Sequence, residues 1–179
     1  MKIKSIVLAL TLSVLAIAGI AAANTGLQNT PYSTNNFSAT FNGPVTADAP
    51  TRNRDNNSTD YRYNSAVGGT YQSITVRFID YPIPADLTSS DFYADHDGDG
   101  GTITDRSTST YQGHSLTYAR RRYTFDGKEY AKRTRYIIVS QREVIFITQI
   151  VPFEDFTAPG AGVGDQPQWF EFEDSLSIK

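Results

Sequence analysis

Asp95, Asp97 and Asp99 stand at alternate positions in the stretch DHDGDGG, which closes on Gly100 and Gly101. Alternating carboxylates ahead of a glycine are how a calcium loop of the EF-hand type begins, with aspartates at ligand positions 1, 3 and 5 and the glycine at the sharp turn. Position 12 of such a loop requires a bidentate Glu. Here it is Arg106, a cation where the ion needs its strongest ligand, and Asp105 falls one residue early. The competing reading is a polar turn in which Gly100 or Gly101 takes a positive φ after a helix end. Asp95, Asp97 and Asp99 are therefore candidate calcium ligands in a loop that has the first half of the required chemistry, and the turn is the preferred reading.

His96 and His114 are the only histidines and there is no cysteine. A zinc site draws on three or four nitrogen or sulfur ligands, which this chain does not supply in any recognisable spacing. No G-x-S-x-G elbow accompanies either histidine. Glu154 with Asp155, and Glu171 with Glu173, read as solvated charges. No catalytic residues are assigned, and an enzyme is not expected.

The basic block is more informative. From Leu116 to Arg142 eight basic residues stand against Asp126 and Glu129, a net of +6. The chain after Ala23 carries 14 basic and 19 acidic residues, a net of −5, so the remainder holds −11. Asp126-Gly127 is the strongest short-range hairpin signal a sequence carries. With a two-residue turn there, Phe125 faces Lys128, and counting back pairs Arg122 with Ala131, Arg120 with Arg133 and Tyr118 with Arg135 on one face. Tyr123 then pairs with Tyr130 and Arg121 with Lys132 on the other face. Like charges directly opposite are unfavourable, so something acidic should balance them. One candidate is intramolecular, the acidic C-terminal segment or the 91–105 loop. The other is a partner protein with an acidic surface, or an anionic ligand, held by Tyr118, Arg120, Arg122, Arg133 and Arg135.

The elements around this hairpin follow from periodicity. Phe37, Ala39 and Phe41 alternate with polar residues as a strand stopped by Asn42, Gly43 and Pro44. Residues 46–60 read as a polar loop. Tyr61 and Tyr63 open a strand that the AVGGT turn reverses into YQSITVRFIDY, with Ile74, Val76 and Phe78 on one face. LTSSDFYA suits a short helix capped by Thr88, TITDRSTST an extended segment, and EVIFITQIV, apolar on both faces, a central strand. DQPQWFEFEDSLSIK closes as a helix with Asp165 at its cap and Trp169, Phe172 and Leu176 on one side.

Lys2 and Lys4, an apolar run from Ile6 and the small residues Ala21, Ala22 and Ala23 read as a secretory signal peptide, expected over 1–23, with a retained transmembrane anchor over Ile6–Ala23 as the alternative. Residues 24–36 read as a flexible leader and 37–179 as a single domain. The exported chain is expected in an extracytoplasmic space, periplasmic or secreted, and not as an integral membrane protein after cleavage. Its net negative charge disfavours nucleic acid as a partner.

The strand FSATFNGP, the Asp-Pro strand end of ITVRFIDYP, the Gly-Gly turn in GDGGTI, then YQGHSLTYARRRY, TRYIIVSQREVIFITQIV and the closing WFEFEDSLSI resemble the PsbP-like family across residues 37–178. That family is named for an extrinsic subunit of the oxygen-evolving photosystem and shares its sandwich with the nuclear-transport Mog proteins. The resemblance implies an α+β fold, an α/β/α sandwich on a mostly antiparallel sheet with few short helices. It also implies a non-enzymatic module that works by binding partner proteins. The alternative function is a weak calcium-binding extracytoplasmic domain using the Asp95–Asp99 loop.

Overall fold

The computed structural model describes residues 29–55, 57–90, 101–153 and 167–179. Its elements are β1 (Thr30–Ser33), β2 (Phe37–Phe41), β3 (Thr46–Ala47), β4 (Thr51–Asn53), β5 (Ser58–Val67), β6 (Thr70–Ile79), β7 (Thr102–Tyr111), β8 (His114–Phe125), β9 (Lys128–Ser140), β10 (Glu143–Pro152), helix α1 (Pro167–Asp174) and β11 (Ser177–Ile178). The large sheet runs β3-β5-β6-β10-β9-β8-β7, with β4 also paired to β5, and β1-β2-β11 form a small one. All the pairings are antiparallel.

Turn chemistry sets the register. Asp126 and Gly127 have φ of 48° and 70°, the left-handed pair that a two-residue hairpin turn demands. Phe125 is opposite Lys128, Arg122 opposite Ala131, Arg120 opposite Arg133, Tyr118 opposite Arg135, Tyr123 opposite Tyr130 and Arg121 opposite Lys132, as the sequence predicts. Strand β10, apolar on both faces, lies between β6 and β9 in the interior of the sheet.

Alternation then sorts side chains to the two faces. On one face Ile74, Val76, Leu116, Ile137, Ile145 and Ile147 pack against Phe37, Ala39 and Phe41 of β2 and against Phe172 and Leu176 of the C-terminal segment. Each such buried side chain contributes on the order of 2 kcal/mol. On the other face Ile79, Ile83 and Leu87 lie over Ala119, Tyr136 and Val144. There the Ser89 hydroxyl bonds the hydroxyls of Ser115 and Thr117 at 2.9 and 2.8 Å.

This arrangement corrects the expected α/β/α sandwich. Strands dominate, and α1, eight residues long, is the one complete helix among the described residues. The layer over the main core is the small sheet with α1, and the opposite face is covered by the irregular segment from Ile79 to Ser89. The reason lies in the patterning, because period-2 alternation runs through most of the chain and only the C-terminal segment offers a described stretch with helical spacing.

Part of the stretch expected as a flexible leader is a strand. Thr30–Ser33 pair with β2, and the Tyr32 ring sits 5.5 Å from that of Tyr63 and 6.2 Å from that of Phe41. The expected loop over 46–60 contains β3 and β4 and the start of β5. The signal-peptide reading of 1–23 and the cap at Asp165 fall outside the described residues.

Candidate functional site

The basic residues of β8 and β9 lie in two rows across the sheet. In one, Asp105, Arg120, Arg133, Gln149, Gln72 and Ser65 are successive cross-strand partners. In the next, Ser107, Tyr118, Arg135, Ile147, Ile74 and Tyr63 follow one another. Both rows face the layer that carries α1, and this decides what the arginines can do.

Arg133 is buried and Arg135 largely covered, with side chains 8% and 13% exposed, against a Glu173 side chain that is 2% exposed. Glu173 Oε2 lies 2.7 Å from Arg135 Nη2 and 3.3 Å from Arg133 Nη2. Asp174 Oδ1 stands 4.0 Å from Arg135 Nη2. The Arg133 guanidinium is also 5.1 Å from the Tyr118 ring centroid and that of Arg135 5.9 Å from Tyr111. Burial pushes the Glu173 carboxyl above its ordinary range, and the two arginines offset part of that rise. Burial likewise raises the Tyr118 phenol against the pull of Arg133 and Arg120.

Two arginines in a row of cations thus hold the C-terminal helix to the sheet. The same corner is fastened by the Tyr111 hydroxyl, which donates to the Leu176 carbonyl at 2.6 Å, and by Gln112, which donates to that carbonyl at 2.9 Å and accepts from Ile178 N at 2.9 Å. Tyr111 and Gln112 belong to the end of the β7–β8 hairpin, so that hairpin and the helix close on each other.

Arg120 and Arg122 differ. Arg120 is half-buried and donates through Nε to Thr104 Oγ1 at 3.2 Å. Arg122, 45% exposed in its side chain, forms a two-point pair with Glu129 and lies 4.1 Å over the Phe153 ring. Exposed pairs of this kind are worth about 0–1 kcal/mol and exchange readily for another anion. Of the five residues singled out in the sequence, the structure therefore brings Arg133, Arg135 and Tyr118 into a covered cluster and leaves Arg120 and Arg122 toward solvent beside β7.

Sequence reasoning did not single out Glu173 as the counter-charge, because a carboxylate two residues from Glu171 in an acidic segment looks solvated. Its helical spacing from Phe172 and Leu176 gave no sign of its burial. Gln72 and Gln149, each 1% exposed, were also missed. Gln149 carried a signal, since it stands within the largely apolar run IFITQIV; Gln72, between Tyr71 and Ser73, carried none. Gln72 Oε1 accepts from Asn42 N at 2.8 Å where β2 ends.

Asp95, Asp97 and Asp99 lie outside the described residues. The residues that would complete a calcium loop are described: Thr102–Arg106 run as part of β7, and Arg106 donates to the carbonyl and hydroxyl oxygens of Ser90 at 3.0 and 2.6 Å. Gly101 has φ 78°, and a Cβ there would stand 2.7 Å from the Arg122 carbonyl oxygen, so a glycine is required at this turn. Among the described residues no group of three or more His, Asp or Glu side chains is placed to hold a metal ion.

No protein-family model and no functionally curated protein matches the sequence. Among solved structures, the chain is similar to the solution structure of the cyanobacterial PsbP of Synechocystis, at TM-score 0.52 and 9% identity, over 90% of this chain and 98% of that one. A Bacteroides thetaiotaomicron structure matches at TM-score 0.47 and 12% identity over 80% of this chain, which spans 45% of that chain. A protein of unknown function from Pseudomonas aeruginosa matches at TM-score 0.41 and 12% identity, over 72% of this chain and 85% of that one. The fold is PsbP-like, and that statement rests on the Synechocystis structure.

Proposed function

We propose that this protein is an exported, non-enzymatic accessory module that acts by binding another protein through an acidic surface on that partner. The observation that carries the reading is the division of labour among the arginines. Arg133 and Arg135 are consumed by Glu173 inside the molecule, whereas Arg122 is exposed on β8 and Arg120, half-buried, lies beside it toward β7. An exposed pair such as Arg122–Glu129 opens at little cost when a better-placed carboxylate arrives. The PsbP-like fold supports the reading by analogy only, since a fold hosts many functions. The signal-peptide pattern of residues 1–23 supports an extracytoplasmic site of action, and no helix among the described residues is long and apolar enough to cross a membrane.

The test is capture of a partner from the extracytoplasmic fraction on the immobilised protein, washed at rising salt. Binding through Arg120 and Arg122 weakens as the Debye length falls from about 10 Å at 0.1 M to about 3 Å at 1 M ionic strength. A partner retained unchanged at 1 M salt would remove the electrostatic contact from the account.

A further inference from the structure

The two edges of the large sheet are built differently. One is blunted, with β3 two residues long between Pro44 and Pro50, and β4, three residues long, directly after Pro50. Short strands and prolines are how sheets protect an edge. The other edge is β7, ten residues long, without proline, and exposed from Thr102 to Thr110. Among the described residues it pairs with β8 alone in the sheet order.

The backbone groups that β7 offers can be worked out from its turn. Gln112 and Gly113, with φ of 49° and 84°, form the two-residue turn that makes Tyr111 and His114 the closing hydrogen-bonded pair. Alternation then turns the N–H and C=O of Ser109, Ser107 and Asp105 toward β8 and those of Thr110, Thr108 and Arg106 outward. The run from Asp105 to Tyr111 is regular, and the register shift lies before it, between Ile103 and Asp105. Its side chains are hydroxyl-bearing apart from Asp105 and Arg106, one charge of each sign.

We propose that β7 is the interface of a two-fold dimer, in which a second copy of this chain continues the sheet antiparallel to β7 with Thr108 on the axis. In that register Thr108 meets Thr108, Arg106 meets Thr110, Ser107 meets Ser109 and Asp105 meets Tyr111. All three outward residues find reciprocal ladder partners, and no like charges are opposed. A register centred on Arg106 would set two arginines face to face. One centred on Ser107 would run Thr110 into the irregular end at Thr104. The second copy is the occupant that fits because the strand is complementary to itself in hydrogen bonding and side-chain size and opposes no like charges. One strand pair buries little area, so the dimer belongs to the weak class of interfaces.

Sedimentation equilibrium of the purified protein from about 5 µM to about 1 mM is expected to show a monomer–dimer equilibrium in that range. Thr108→Pro removes an outward N–H and leaves the β8 ladder intact, so it should weaken dimerisation at least tenfold with the thermal transition retained. Thr108→Lys opposes two ammonium groups on the axis and serves where the proline variant fails to fold. Because the chain has no cysteine, register is read by crosslinking: Ser107→Cys protein mixed with Ser109→Cys protein should form a disulfide dimer on mild oxidation faster than either alone. A protein that stays monomeric throughout, a dimer indifferent to both Thr108 variants, or crosslinking no faster in the mixture than in the separate variants overturns the proposal.

Discussion

Replacing Arg133 and Arg135 together by Met keeps two long, apolar stems in the covered cluster and removes both cations. Glu173, 2% exposed in its side chain, is left as a buried carboxylate whose remaining escape is to take a proton. Its reference pKa of 4.5 caps the cost: protonating it at pH 7 spans about 2.5 pH units, or roughly 3.4 kcal/mol at 1.36 kcal/mol per unit. The folded variant holds a proton that the unfolded chain releases, so its stability is full below about pH 4.5 and falls as pH rises, by about 1.4 kcal/mol per unit, until the folded carboxyl ionises. Urea unfolding at pH 5, 6 and 7 reads this directly. Because burial already raises the Glu173 carboxyl in the wild-type protein, the loss relative to wild type should be under about 1 kcal/mol at pH 5 and grow with pH to at most about 3 kcal/mol at pH 7. A loss independent of pH over this range would refute the argument, because it would mean that the arginines act through packing and not as the counter-charges of Glu173.

Other perturbations test neighbouring steps. Tyr111→Phe removes the hydroxyl donated to the Leu176 carbonyl and should cost about 1 kcal/mol in urea unfolding; no change would mean that the hairpin does not fasten the C-terminal segment. Gly127→Ala places a side chain at φ 70° and should cost about 1–2 kcal/mol, whereas Gly101→Ala adds a clash with the Arg122 carbonyl oxygen to the same backbone strain and should cost more. Equal losses at the two glycines would contradict the close approach at Gly101. Calcium at about 5 mM should leave the thermal midpoint unmoved, because the second half of the expected loop is strand and Arg106 is engaged with Ser90; a rise of several degrees would restore Asp95, Asp97 and Asp99 as ligands.

The hairpin register was legible because two local rules coincide there, the Asp-Gly turn and the period of two, and neither needs tertiary knowledge. The same holds for Phe37, Ala39 and Phe41, whose alternation alone places them in the core. What could not be read was layering. Nothing in ITQIV says whether Gln149 meets water or the underside of a second sheet, and nothing in FEFEDSL says that Glu173 reaches across to Arg133 and Arg135 while Glu171 stays exposed. Residues 30–33 look like leader because β1 is short and Tyr32 is the one large apolar side chain in TPYS, too little alternation to announce the hairpin it forms with β2. The expected helical layers failed for the same reason: the sequence showed that both sheet faces needed cover, but not that short strands and an irregular segment would supply it.

The central claim, that the arginines divide into a structural pair and a binding pair, is tested by comparing two double variants in one capture assay. Arg120→Glu with Arg122→Glu should keep the wild-type unfolding free energy within about 1 kcal/mol and lose capture of the partner. Arg133→Met with Arg135→Met should lose stability at pH 7 and, under conditions where it remains folded, retain capture. Undiminished capture by the folded Arg120→Glu, Arg122→Glu protein would contradict the account.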